Sequence, residues 1–245
     1  MSAQPRQYRG VMFDLGGTLF YDLPGSLVSS VQMRVLSRAG VSAQALVGAE
    51  AVFRQARLAV EAELRAAGPY LHRDLVTRHF LAGAHGLGVT PMLEDPKQAA
   101  DDYCALMRET VVNSLRLQRD CHETLAALGA LGCDLTVVSN NDEDYLQALI
   151  ARWGLDRRLR HWLSSDRAGI CKPDPAIFAL GLAGADIDLG EVLYVGDSVA
   201  DDVDGALAAG MDVALLVGDK SPAGADRATY RISGLADLVG IVSPQ

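Results

Sequence analysis

The sequence predicts an α/β protein: a parallel sheet with covered faces, and a block of helices inserted after its first strand. Three observations carry this. Several short runs are apolar throughout and bounded by turn residues, the pattern of strands buried on both faces. Each later run follows a stretch with helical periodicity, the alternation that builds parallel sheets. Residues 22–117, by contrast, contain no strand-like run at all. The expected division is therefore a core of residues 1–21 and 118–245, with a helical domain over 22–117.

The elements follow in order. "GVMFDL" (10–15) is the first strand. The helical block opens with "SLVSSVQMRVLSRAG" and continues through "ALVGAEAVFRQARLAVEAELRAAG" and "PKQAADDYCALMRETVVNSLRL", all amphipathic and Ala-rich. Gly/Pro punctuation such as "AGPY" and "VTPMLEDP" separates them. The core resumes with the helix "HETLAALGALG" (122–132) and the strand "DLTVVSN" (134–140). It then repeats the unit: "DPAIFALGLAGA" (174–185) before "EVLYVGD" (191–197), and "DVDGALAAG" (202–210) before "DVALLVGD" (212–219).

Composition narrows the function. A chain of 245 residues, half of them apolar, can bury a sizeable core. A net charge of −9 argues against nucleic acid or an anionic membrane surface as partner. The start "MSAQPRQYRG" has no apolar segment of a secretory leader, and no run reaches the length of a membrane span. Cys104, Cys121, Cys133 and Cys171 lack metal or redox spacing and read as buried thiols in a reducing compartment. A cytoplasmic protein is expected.

Three strands end on polar residues: Asp14, then Ser139 with Asn140, then Asp197. One such residue is ordinarily a turn or a helix cap. Three on parallel strands converge at the edge of the sheet where ligands bind.

The motifs around them resemble those of the haloacid dehalogenase-like (HAD-like) hydrolases, over about residues 8–21 and 118–220. "FDLGGTL" is similar to the first motif, whose leading Asp is the nucleophile; "VVSNN" is similar to the second, with Ser139 on the phosphoryl group. "CKPDPAIF" resembles the third, in which Lys172 pairs with charge, and "VGDSVADDVDGALAAGM" the fourth, with Asp197 on magnesium. The resemblance implies a Rossmann-like core with an α-helical cap domain, and a Mg²⁺-dependent phosphatase of a small-molecule phosphate ester. It implies Asp14, Ser139 and Lys172 as catalytic, and Gly17 and Asn140 as substrate-binding. Asp14, the Gly16 carbonyl, Asp197 and a second fourth-motif acid would hold the metal; Asp202 fits the family spacing, and Asp201 lies one residue earlier.

The residue types suit that chemistry. A phosphoryl group carries spread negative charge, so a carboxylate attacks it only where cations screen the approach. Asp14 and Asp197 offer the hard oxygens magnesium prefers, and Lys172 a compact positive charge. Gly16 and Gly17 let the backbone approach phosphate and metal closely.

One departure bears on function. Most phosphatases of this family carry a second Asp two residues after the nucleophile, which protonates the leaving oxygen; this chain has Gly16. Two alternatives follow: a non-catalytic or weakly active phosphate-binding member, and a 2-haloacid dehalogenase. A phosphonate hydrolase would need a cap lysine, for which only Lys97 is present. "DLGGT" also resembles the phosphate loop of sugar kinases, which lack the later motifs. His72, His79, His85, Tyr21 and Asp22 are candidate replacements for the missing acid, and Thr18 either holds the turn or reaches the site.

Overall fold

The computed structural model describes residues 8–217 and 222–243. The chain divides into two compact units, residues 1–22 with 116–245, and Leu23–Leu115.

In chain order, β1 (Gly10–Phe13) leads into the helical unit of α1 (Gly25–Arg38), α2 (Ala49–Ala67), α3 (His72–Gly86) and α4 (Pro96–Ser114). This unit has an interior of its own, in which Val35, Leu36, Phe53, Phe80 and Tyr103 are buried. Phe80 stacks on Tyr103 with ring centroids 4.7 Å apart. Asp95 starts α4 by accepting a hydrogen bond from the Gln98 amide, with Pro96 in the first turn where its missing N–H costs nothing. The sequence reading misses α3, whose periodicity is diluted by Arg73, Thr77 and Arg78 and by two glycines.

The other unit carries β2 (Asp134–Ser139), β3 (His161–Ser164), β4 (Val192–Gly196), β5 (Asp212–Leu216) and β6 (Tyr230–Ile232). With β1 they form one parallel sheet in the order β3-β2-β1-β4-β5-β6. The strand order reverses at β1, which pairs with β2 on one side and β4 on the other. Every residue of β1 and β4 is buried, as expected of central parallel strands. The helices of this unit are α5 (Cys121–Ala130), α6 (Glu143–Arg152), α7 (Ser165–Ala168), α8 (Ala176–Gly181), α9 (Asp204–Ala208) and α10 (Asp237–Val242). Met12, Val138, Ile177, Phe178, Tyr194 and Val213 pack together in its core.

Where the chain leaves and re-enters this unit, its two crossings run side by side. Phe20 pairs antiparallel with Leu117; the Tyr21 amide donates to the Arg116 carbonyl at 2.9 Å, and the Gln118 amide to Leu19 at 2.9 Å.

The expected strands are present but shorter than read: Asp14 and Asp197 lie just past their strands rather than in them. Gly218 and Asp219, the end of the fourth expected strand, lie outside the described residues. The helix expected at 202–210 is preceded by a wide turn of π type over Val199–Val203. Cys121, Cys133 and Cys171 are buried thiols; Cys104 is only half-buried, a departure from the expectation. Among the described residues no helix is long and apolar enough to cross a membrane.

Candidate active site

The carboxyl ends of β2, β1 and β4 are neighbours, so the polar strand ends converge. Asp14 follows β1 and is 7 % exposed; its amide donates to the Val195 carbonyl at 2.8 Å, which fixes the strand end against β4. The chain then turns sharply. Gly17 sits at φ +75°, and a Cβ there would lie 2.3 Å from Asp197 Oδ2, so only glycine lets the Asp197 carboxylate rest on this loop. Gly16 is different: it has no left-handed φ, and a Cβ there would meet no heavy atom within 4 Å. Thr18 is fully buried and its hydroxyl donates to Asp197 Oδ1 at 3.4 Å, so it reaches the site.

At the end of β2, Ser139 is buried and its Oγ accepts from Asn141 Nδ2 at 2.7 Å, leaving its own proton for another acceptor. Asn140 faces the third motif. Its Nδ2 donates to the Lys172 carbonyl at 3.1 Å, and its Oδ1 accepts from the Lys172 amide at 2.8 Å. In this structure Asn140 therefore fixes the Lys172 backbone.

Lys172 and Asp202 are the most enclosed charges, 2 % and 1 % exposed. Lys172 Nζ donates to Asp14 Oδ1 at 2.5 Å and to Asp202 Oδ1 at 2.7 Å, and its third proton goes to the Tyr194 hydroxyl at 2.9 Å. Asp202 Oδ2 accepts from the amides of Asp197 at 3.0 Å and Ser198 at 2.9 Å, closing the fourth-motif loop on itself. Glycine precedes Asp197 because a Cβ at Gly196 would lie 2.3 Å from the Asp202 carboxyl carbon. Oxygens of Asp14, Asp197 and Asp202 lie within 4.8 Å of one another, so Asp202 is the fourth-motif acid that joins the cluster. The Asp201 amide instead donates to Ser198 Oγ at 3.2 Å, and Asp204 pairs with Arg227.

The electrostatics follow from crowding three carboxylates around one ammonium. Carboxylates this close repel by about 3 kcal/mol per pair at an effective dielectric of about 20. Burial, reinforced by Asp202 and opposed by Lys172, lifts Asp14 to about 6. Asp197, desolvated and facing Asp14 and Asp202, is lifted to about 8. Burial works against the Lys172 ammonium, yet Asp14 and Asp202 hold its pKa well above the usual lysine range. Among the described residues, Lys172 is the one cation bonded to these carboxylates.

Tyr21, Asp22, Gln118 and Ser233 line a cavity of about 540 Å³ together with Gly17 and Asp197, and the Asp22 charge adds to the lift on Asp197. The three candidate histidines, His72, His79 and His85, belong to the helical unit. His79 is buried among Gln32, Phe53 and Tyr103, and burial with Arg57 nearby lowers both His72 and His79 to about 4. Both are neutral at neutral pH. Sequence reasoning missed Tyr194 and Asn141. A hydroxyl within a strand apolar on both faces must find a partner, and that was the available signal for Tyr194.

The family of haloacid dehalogenase-like hydrolases matches residues 8–210, and the chain belongs to it as an enzyme of that family. Among curated relatives, the phosphoglycolate phosphatase of Pectobacterium atrosepticum is 27% identical, the match covering 82% of this chain and 77% of that protein. The (S)-2-haloacid dehalogenase 4A of Burkholderia cepacia is 30% identical over 79% of this chain and 76% of its own. A HAD phosphatase from Thermococcus onnurineus shares the fold, with a TM-score of 0.65 at 21% identity over 96% of this chain and 98% of its own.

Proposed function

We propose that the protein is a magnesium-dependent phosphatase that hydrolyses a small phosphorylated metabolite through an aspartyl-phosphate on Asp14. The observation that carries this reading is the charge imbalance: Asp14, Asp197 and Asp202 share one site in which, among the described residues, Lys172 is the cation that pairs with them. A hard divalent cation answers that imbalance with the oxygen ligands it prefers. Asp14, Asp197 and the Gly16 carbonyl would hold it, with Asp202 alongside; bound there, magnesium neutralises carboxylate and phosphoryl charge together.

An Asp14 oxygen attacks phosphorus, and the bond from phosphorus to the leaving oxygen breaks. Lys172, fixed on Asp14 Oδ1, offsets charge on the nucleophile and the incoming group. Ser139, its oxygen already accepting from Asn141, donates its proton as a hydrogen bond to a phosphoryl oxygen. Gly17 lets the Asp197 carboxylate lie against the nucleophile loop, and Asn140 supports the site through Lys172. Water then attacks phosphorus, the bond from phosphorus to the Asp14 oxygen breaks, and the water's proton passes to solvent, leaving inorganic phosphate and the Asp14 carboxylate. With no acid at residue 16, the leaving oxygen departs as an anion or takes its proton from water or from a residue of the inserted helical domain. Cysteines kept as thiols rather than disulfides suit a cytoplasmic location.

Gly16 favours one second reading. A 2-haloacid dehalogenase also attacks with an aspartate, and halide leaves without a proton, so the missing acid costs it nothing. The relative from Burkholderia cepacia carries that activity in its name. Turnover of p-nitrophenyl phosphate with magnesium, abolished by a chelator, supports the phosphatase. Chloride release from 2-chloropropionate that survives the chelator, without phosphate release, overturns it.

A further inference from the structure

We propose that Tyr194 is a positioning residue whose hydroxyl aims the Lys172 ammonium at the Asp14 carboxylate. The inference rests on Asp14 as the nucleophile of the reaction proposed above. An ammonium has three protons to place, and each has one acceptor here: Asp14 Oδ1 at 2.5 Å, Asp202 Oδ1 at 2.7 Å and Tyr194 Oη at 2.9 Å. Three acceptors around one nitrogen leave it a single orientation. The phenol in turn has one proton to give. It lies 3.0 Å from Asp202 Oδ1 and 3.4 Å from the Val138 carbonyl, and the charged, nearer oxygen is the stronger acceptor. Tyr194 thus accepts from Lys172 and donates to Asp202, closing a ring that ties the third motif to the fourth.

The ring of Tyr194 is itself immobilised. The residue lies in β4 with no solvent exposure, and Phe178 meets it edge-on with centroids 4.9 Å apart. The hydroxyl is therefore delivered from a rigid strand, whereas Lys172 hangs on a flexible stem of four methylenes. Without the hydroxyl, the ammonium keeps only two carboxylates, which share it without fixing its direction. Asp202 then loses one of the two donors on Oδ1 and competes harder with Asp14 for Lys172. The expected result is a nucleophile less well covered by positive charge, in a site whose backbone is unchanged.

Tyr194→Phe tests this, because it deletes one oxygen and keeps the ring against Phe178. Its crystal structure should show Lys172 Nζ displaced toward Asp202 and beyond hydrogen-bond reach of Asp14. Hydrolysis of p-nitrophenyl phosphate should lose about 10-fold or more in kcat, the usual scale for a hydrogen bond to a charged group, with KM within about twofold. In a Lys172→Met background the same substitution should change kcat by less than about twofold, since a positioning effect vanishes with the group positioned. Lys172 Nζ unmoved on Asp14 in the variant, or equal losses in both backgrounds, overturns the proposal. Should wild-type protein cleave no phosphate ester, the proposed function fails, and the position of Lys172 in the crystal still decides the role of Tyr194. Should Tyr194→Phe not fold, wild-type protein with nitrogen-labelled lysine decides. A slowly exchanging ammonium resonance that disappears in Lys172→Met is expected, and an averaged, fast-exchanging one overturns the proposal.

Discussion

Gly16→Asp should convert a phosphatase that depends on its leaving group into one that does not. Position 16 accepts the change: its backbone is not left-handed, and a Cβ there meets nothing within 4 Å. Packing and backbone should add little, but a carboxyl kept protonated at neutral pH costs stability by roughly 1.4 kcal/mol for each unit its pKa is raised. The new carboxyl would stand two residues from Asp14, beside carboxylates already lifted to about 6 and about 8, so like charge should help it keep a proton. A positioned acid contributes about 10²–10⁴-fold, or about 3–5 kcal/mol of barrier. Alkyl phosphates, whose alkoxides leave reluctantly, should gain most of that factor in kcat/KM. Aryl phosphates, whose phenolates leave unaided, should gain little. The assay is kcat/KM across monoesters graded by leaving-group acidity, for both proteins with magnesium. In the wild type the logarithm of the rate should fall steeply as the leaving group becomes less acidic; in the variant the slope should flatten. A flat slope in the wild type would show that another group already donates the proton, and a well-folded variant with no gain on alkyl esters would refute the reasoning outright.

Asp14→Asn should abolish turnover, by at least about 10³-fold, while thermal stability is retained, because the amide keeps the shape but cannot attack phosphorus; substantial residual phosphate release would place the nucleophile elsewhere. Gly17→Ala should destabilise by about 1–2 kcal/mol and weaken magnesium binding, since a left-handed alanine is strained and its Cβ drives into the Asp197 carboxylate. Unchanged denaturant midpoint and magnesium affinity would sink that account. The last expectation concerns pH. Asp197 sits at about 8 in the metal-free fold, above the carboxylate range near 4 of an unfolded chain, so the native state holds a proton that the unfolded state has released. This contribution is whole below about pH 4 and is lost as pH rises through about 8. The Tm of wild type relative to Asp197→Asn should therefore fall between pH 5 and 8 without metal, on the scale of those pKa values. Magnesium binding at neutral pH should release protons, measurable by calorimetry in buffers of different ionisation heat; a relative Tm that rises over the same window contradicts it.

Much of this was legible in the sequence because central parallel strands advertise themselves. β1, β2, β4 and β5 are apolar on both faces, and their ends marked Asp14, Ser139 and Asp197. The edge strands β3 and β6 were not legible: each has three or four residues, and His161 and Arg231 dilute their apolar character. Motif spacing already favoured Asp202 over Asp201, and Asp202 is the acid whose oxygens lie with those of Asp14 and Asp197; the wide turn at Val199–Val203 that carries it was not legible. Gly16 and Gly17 look alike as letters, yet only Gly17 needs to be glycine for steric reasons. The Lys172–Tyr194–Asp202 ring joins residues 22 and 8 apart in sequence and required coordinates.

The paired crossings at Phe20 and Leu117 have an engineering consequence. Because the outgoing and returning segments are hydrogen-bonded to each other, the entry and exit of the Leu23–Leu115 insert lie within one antiparallel bridge. Lengthening or exchanging such an excursion alters chain entropy only logarithmically. The stem itself stays a hairpin whose tip is free to vary. A tight turn in place of the insert would complete that hairpin, leaving Asp14 at the end of β1. Grafting a foreign excursion onto the same stem is then a matter of matching two neighbouring ends, which makes this junction the natural splice point for exchanging the insert.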